Sequence, residues 1–369
     1  MTHAGEFLQA ERLELGPTTD VAPEGNWRFA RDGERVAWLV LDRPGSAANT
    51  VSAAVLRELD AHLDALEADL PAALVIRSAK PGGFAMGADL DDLASLPADE
   101  VETLLRRGHG VLDRLAALDC PTVAVIHGAA LGAGLELALA CDARIAVDGA
   151  SAGFPEVRLG LHPGLGGTVR LPALIAPDEA MTLMLTGKTA HTRKARRLGL
   201  FDEITQERHV RAAIAKAMLQ QSDQSRGLRG MALETGAGRA LAARRMRART
   251  QDEARPDHYP APHRLIDLWE SHGGDPDAMQ EAEIASFAKL LETDSARNLM
   301  RVFFLRQHLK RAGAGESGID RVHVVGAGEM GAGIAAWAAL KGARVTLGDL
   351  SNDALGAALR RAVETCEKA

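Results

Sequence analysis

The 369-residue sequence predicts an α/β protein. Three observations carry that reading: short apolar runs rich in β-branched residues alternate with stretches of helical periodicity, glycine-rich turns stand where the runs end, and at Ile319 the pattern restarts as strand, glycine turn, helix, strand. Such alternation favours strands whose backbone-rich turns gather at one end of a sheet and build the site there.

In order along the chain, a polar leader (1–26) precedes Arg35–Leu41, RVAWLVL, a strand closed by the turn signal Arg43-Pro44-Gly45. Ser52 is placed to cap a helix in which Val55, Leu56, Leu59, Leu63 and Leu66 recur on one face. Ala72–Ile76 is the next strand. It runs into residues 80–89, KPGGFAMGAD, a loop whose small residues permit close backbone approach. A helix over Val101–Leu118, a strand over Thr122–Ile126, a glycine turn with a helix, and a strand over Asp142–Val147 follow. Ser151–Gly167 reads as a long loop, and helical segments at Asp178–Leu185 and Arg193–Leu198, the latter stopped by Gly199, close the unit. Residues 207–317 are charged and helix-favouring apart from 255–262, and are expected to form a helical extension and linker. Their basic cluster, Arg239, Arg244, Arg245, Arg247 and Arg249, is expected to be a solvated helix face. Residues 312–318, AGAGESG, are expected to be a flexible boundary.

The length suits two or three domains. Hydrophobic content of 46%, charged content of 25% and a net charge of −7 are those of an ordinary globular chain, with neither disorder nor a polyanion-binding surface indicated, so nucleic acid is not an expected partner. The opening MTHAGEFLQAERLELGP has no basic start or apolar stretch, and no later run approaches membrane-spanning length, which makes the cytoplasm the expected compartment. Cys120, Cys141 and Cys366 share no metal-type spacing and are expected to be reduced thiols.

Chemistry concentrates at two glutamates. In residues 128–141, GAALGAGLELALAC, Glu136 is the only acidic or basic side chain. An isolated carboxylate in such a run must find partners, meet water in a cleft or take up a proton. Leu135, Leu137, Ala138 and Leu139 leave no polar face for a merely solvated glutamate, so Glu136 is a candidate site residue. Glu156 stands beside a second glycine-rich turn and is its candidate partner. His127 and His162 lack metal-ligand spacing and are read as structural. In the last unit, Gly326, Gly328 and Gly331 follow the strand Val322–Val325, and Asp349 ends the next strand. That is the context of the first βαβ half of a dinucleotide-binding (Rossmann) fold, with Gly326, Gly328, Met330, Gly331 and Asp349 as expected contacts and Asp349 as acceptor for an adenosine ribose.

Met86-Gly87-Ala88-Asp89, the run His127 to Glu136, and Pro155-Glu156 through Pro163-Gly164-Leu165-Gly166-Gly167-Thr168 resemble the three active-site segments of the crotonase, or enoyl-CoA hydratase/isomerase, superfamily, over roughly Trp27–Ile204. The extension, with Tyr259-Pro260-Ala261-Pro262 and Phe303-Phe304, and the nucleotide motif together resemble the α subunits of multifunctional fatty-acid oxidation complexes, in which a hydratase domain precedes a 3-hydroxyacyl-CoA dehydrogenase. This resemblance implies a crotonase-like ββα spiral core at 27–206, the helical extension at 207–317 and a partial NAD-binding domain at 318–369. It also implies an acyl-CoA thioester substrate, trimeric packing or another homo-oligomer, and a thiolase-containing complex in the full-length family.

By the same resemblance, the backbone N–H groups of Ala88 and Ala133 grip the thioester oxygen. Glu136 orients and deprotonates water, Glu156 delivers the proton, and Met86, Gly87, Asp89, Leu90, Gly132, Pro163 and Gly164 contact substrate. Two departures stand out: Ala133 replaces a common glycine, and Asp91 occupies a position that is lysine in many single-domain relatives. The implied activity is hydration of 2-trans-enoyl-CoA to 3-hydroxyacyl-CoA in fatty-acid β-oxidation, a reaction that needs no cofactor. The NAD site is expected to be only partly present and the dehydrogenase part inactive, because the sequence stops at Ala369. The competing readings are Δ3–Δ2 isomerisation in the same pocket, which needs one base, and a non-catalytic acyl-CoA- or nucleotide-binding fragment.

Overall fold

A computed structural model describes residues 13–219, 233, 235–312 and 318–367. The first twelve residues of the leader and residues 313–317 of the expected boundary lie outside the described residues. The chain divides into two compact units, Met1–Phe304 and Leu305–Ala369.

The first unit is built on a hairpin of β1 (Trp27–Arg31) and β2 (Val36–Leu41), followed by α1 (Ala53–Ala68) and β3 (Ala73–Ser78). The Ser52 side chain accepts from the Val55 N–H and starts α1, whose five predicted apolar positions are all buried. From β3 the chain passes to the short β4 (Gly83–Ala85), then α2 (Leu90–Ser95) and α3 (Ala98–Ala116). The same step recurs as β5 (Thr122–Ile126), β6 (Ala129–Leu131) and α4 (Ala133–Leu139), and again as β7 (Ala143–Val147) and β8 (Ser151–Gly153). Then come α5 (Gly167–Leu174), α6 (Pro177–Thr186), β9 (Thr189–His191), α7 (Thr192–Leu198), β10 (Glu203–Thr205) and α8 (Val210–Leu219). The long strands make one sheet in the order β1-β2-β3-β5-β7-β10, and the short ones make a second, β4-β6-β8-β9. Each repeat thus lays one strand in each sheet before its helix, a ββα spiral.

The inner strands of the main sheet are covered on both faces, which explains why β2, β3 and β5 read as apolar runs. Ala37, Leu39, Leu41, Leu74, Ile76, Ala124 and Ile126 point into the larger core with α1 and α3. The alternate residues Val36, Trp38, Ala73, Val75, Val123 and Val125 pack against Val210, Ala213 and Ile214 of α8.

Beyond residue 235 lie α9 (Gly236–Glu253), α10 (Pro260–His272), α11 (Pro276–Leu291) and α12 (Asp294–Ala312). Pro260 occupies the first turn of α10, where its missing N–H costs nothing, and the Asp275 side chain caps α11 ahead of Pro276. These helices carry more than a connecting role. Leu265, Ile266, Trp269, Met279, Ile284, Phe287 and Leu290 belong to the same hydrophobic cluster as Leu112 and Leu115 of α3. Of the basic cluster on α9, Arg247 pairs with Asp267 and Glu270 of α10.

One buried ion pair fastens the edge of this unit. Arg77, fully enclosed on β3, meets Glu207 at 2.6 Å and donates to the Glu14 carbonyl, while Glu207 accepts from the Glu14 N–H. Removing one partner leaves the other charged and unsatisfied. Arg77→Met is therefore expected to lower the unfolding free energy by about 3–5 kcal/mol, and Arg77→Met/Glu207→Gln to recover part of it, as read by urea denaturation.

The second unit pairs β11 (Arg321–Val325) and β12 (Arg344–Gly348) in parallel, joined by α13 (Glu329–Leu340) and followed by α14 (Asn352–Glu367). Its core is small, Ala327, Ala332 and Ala358 with Leu347, Ala354 and Leu355 packed on it.

Candidate active site

Three turns at the ends of β4, β6 and β8 converge. In the first, Val51 donates to Gly87 O (2.8 Å) and accepts from Asp89 N (3.0 Å), so the residues flanking Ala88 make that bridge. In the second, Gly132 donates to Gly153 O (3.0 Å) and accepts from Leu135 and Glu136. The Ala88 N–H and the Ala133 N–H, the latter first in α4, have no hydrogen-bond partner among the described residues. The two turns touch, since a β-carbon added to Gly132 would lie 3.5 Å from Gly87 Cα. Ala133 carries its β-carbon without strain: Arg35 is the sole non-glycine residue with positive φ among the described residues.

The third turn brings in Glu156. A β-carbon on Gly132, whose φ of 49° suits glycine, would collide with Glu156 Oε1, so this carboxyl group lies directly against the second turn. Its Oε2 is sealed from solvent and has no hydrogen-bond partner among the described residues. Glu136 is 2% exposed on α4, and its Oε1 accepts from Leu165 N (2.8 Å) and Gly167 N (2.7 Å). Burial, followed by the charge of Glu283, lifts the Glu136 pKa from 4.5 to about 7 against those two donors. Burial also lifts Glu156 well above 4.5, and the charge of Glu136 adds to it.

A carboxyl group whose pKa is raised by folding binds its proton more tightly folded than unfolded, and it destabilises the fold as pH rises from 4.5 to about 7. Glu136→Gln is accordingly expected to unfold at a higher temperature than wild type at about pH 8, the difference vanishing below about pH 4.5. Calorimetry across that range checks it.

The other candidate residues divide. Gly87 and Gly132 are buried at the converging turns, Leu90 is half-buried, and Met86 is 45% exposed. Asp89 caps α2 through Asp91 N and pairs with Arg43 at 2.7 Å, so its side chain is engaged in holding the Ala88 turn. Pro163 and Gly164 are buried behind Glu136, with Gly164 against the Phe287 ring. His127 contacts Lys80 O (2.8 Å), and His162 contacts Pro163 O (2.7 Å) and Ser286 Oγ (2.9 Å), both structural engagements.

Two polar residues escaped the sequence reading, Glu283 of α11 and His109 of α3, both buried beside this site. A signal existed. Glu283 interrupts the row Met279, Glu283, Phe287, and His109 the row Val101, Leu105, His109, Leu112, both apolar stripes at helical spacing.

In the second unit, Gly326 has φ +97° and a β-carbon on Gly331 would collide with Gly326 O, so the turn requires both glycines. Gly328 and Met330 are exposed, and Gly328 is open to a close backbone approach. Asp349 accepts from Ala327 N (2.7 Å) and Ser351 N (2.9 Å) and is thereby held in its ionised form, its pKa lowered. The glycine turn fits a pyrophosphate, while a ribose would share the Asp349 carboxylate with two amides.

Comparison with known proteins places both units in known families. A family described as enoyl-CoA hydratase/isomerase matches residues 31–254, and one described as 3-hydroxyacyl-CoA dehydrogenase, NAD binding domain, matches residues 321–369. The fatty acid oxidation complex subunit alpha of Vibrio campbellii is 34% identical over 357 residues, which cover 91% of this chain and 50% of that protein. The chain spans about half the length of the curated relatives it matches. Among solved structures, an enoyl-CoA hydratase from Rhodobacter sphaeroides 2.4.1 superposes with a TM-score of 0.61 at 20% identity, covering 77% of this chain and 90% of its own. One from Bacillus anthracis gives 0.50 at 25% identity over 67% and 90%.

Proposed function

Because the chain belongs to the enoyl-CoA hydratase/isomerase family, we propose that it hydrates 2-trans-enoyl-CoA thioesters to 3-hydroxyacyl-CoA, as a step of fatty-acid β-oxidation. The observation that carries this reading is that two carboxyl groups, buried Glu136 and Glu156 with its shielded Oε2, lie beside two unpartnered backbone N–H groups.

The thioester oxygen sits between the Ala88 and Ala133 N–H groups, which stabilise the negative charge it gains on addition. Ionised Glu136 takes a proton from water as the hydroxyl oxygen bonds to C3. The electron pair of the double bond moves to C2 and the thioester oxygen. Protonated Glu156 then delivers its proton to C2, closing the balance at one water added. Both carboxyl groups are held above the ordinary carboxylate range, which suits a pair that takes up and delivers protons near neutral pH. Hydration is expected to fall as pH drops below about 7, where Glu136 becomes protonated. The limb is read from kcat/KM against pH.

Isomerisation of a 3-enoyl to a 2-enoyl thioester asks only for one group shuttling a proton between C4 and C2, and Glu156, with its unpartnered Oε2, can serve alone. It is the secondary reading in the same pocket. In the second unit, Gly326, Gly328, Gly331 and Asp349 would hold the adenosine half of NAD, which when bound is a hydride acceptor. The relatives are named as alpha subunits of a fatty acid oxidation complex, and such a complex is the proposed setting of the longer protein. Loss of conjugated-thioester absorbance over an acyl-length series tests the hydratase reading, and no loss with any member would overturn it.

A further inference from the structure

The loop that feeds Glu136 serves two carboxylates by turns. Leu165 and Gly167 donate to Glu136 Oε1 at 2.8 and 2.7 Å. The intervening Gly166 donates to Glu283 Oε1 at 2.8 Å, and the next residue, Thr168, donates to Glu283 Oε2 through its N–H (3.2 Å) and its hydroxyl. Four successive amides thus alternate between a carboxylate on α4 and one on α11. Glu283 is fully buried, and on its other side His109 Nε2 lies 3.1 Å from Oε1, an ion-pair contact short of an aligned hydrogen bond. One turn along α11, Ser286 holds His162 at the start of the same loop.

We propose that Glu283 and His109 are positioning residues for the acid/base site: the pair clamps residues 165–168 from the side opposite Glu136 and so fixes where the Glu136 carboxylate points. The proposal rests on the hydratase reading for its kinetic consequences, though its geometry stands apart from it. It makes α11 part of the active site.

Electrostatics follow from the same arrangement. The groups facing the pair are Glu136 of α4, Glu156 of the third turn, His162 of the loop, and Arg170 of α5, which donates to Leu165 O and pairs with Asp113 of α3. Burial opposes a charge on both members of the pair, yet their mutual contact outweighs it, raising His109 and, with Thr168, lowering Glu283. Glu136 therefore faces a negative charge backed by a positive one, and the negative charge has the larger effect on it.

The test is a pair of opposite displacements. Glu283→Gln removes the negative charge and should move the titration of Glu136 to lower pH. His109→Gln leaves that charge uncompensated and should move it to higher pH. Titration is followed by the carbon-13 resonance of labelled glutamate carboxyl groups, assigned by its loss in Glu136→Gln, and thermal unfolding verifies the fold. In both variants kcat for hydration should fall roughly tenfold to a hundredfold as the carboxylate loses its aim, with KM little changed and the acidic limb moving with the titration. A packing role alone would lower stability without opposite shifts. Displacements in the same direction, or an unshifted titration with wild-type kcat in either variant, overturn the proposal. If Glu283→Gln does not fold, His109→Gln decides alone. Should wild type turn over no enoyl thioester, the hydratase reading falls, and the titration still decides this one.

Discussion

Glu156→Gln is expected to hydrate crotonyl-CoA about 10²–10⁴-fold more slowly than the wild-type chain. The magnitude is that of losing a positioned acid. Glu156 Oε2 has no hydrogen-bond partner among the described residues, and Oε1 abuts Gly132. Gln keeps the shape but its amide proton is far too weakly acidic to protonate C2. The fold should survive, and stability at about pH 8 should not fall, since the buried carboxyl group whose ionisation strains the native state has been removed. The assay is absorbance loss at saturating thioester, paired with calorimetry to separate lost chemistry from lost structure.

Gly132→Ala should be nearly as damaging for a different reason. Gly132 has φ 49° and ψ −126°, a conformation available to glycine, and its new β-carbon would meet Glu156 Oε1. Forcing that geometry costs about 1–3 kcal/mol, and relief comes only by shifting the Glu156 carboxyl group or rotating the peptide that presents the Ala133 N–H. The first spoils the acid and the second the oxyanion donor, and with either, kcat/KM for hydration is expected to fall about 10²-fold. Ala133→Gly is the control, because that residue contributes its backbone alone and should leave turnover close to wild type.

Much of this site was legible in the sequence, and the reason differs from part to part. The strands β2, β3, β5 and β7 announce themselves because burial on both faces demands unbroken apolar runs. Glu136 stands out because a lone carboxylate in an apolar helix must find partners, meet water or take up a proton. The short strands β4, β6, β8 and β9 have three residues each, too few for any period to register, and Ser151–Gly167 therefore read as loop although it begins with β8. The strand β1 was missed because only Trp27 of its five residues is buried. Helix α5 was hidden by Pro172 within it. Glu283 and His109 were illegible as a pair because each sits in its own apolar row and only the packing of α11 on α3 unites them. Residues 207–317, read as an extension and linker, mark Glu283 only as an interruption of an apolar row, and the row does not show that its carboxylate closes over the loop behind Glu136.

The central claim is that two carboxyl groups act together on one double bond, and a crossed assay tests it most directly: Glu136→Gln and Glu156→Gln, each given a 2-enoyl thioester to hydrate and a 3-enoyl thioester to isomerise. The account predicts that Glu136→Gln loses hydration while keeping the larger share of any isomerisation, and that Glu156→Gln loses both. Hydration at the wild-type rate by either variant would contradict it.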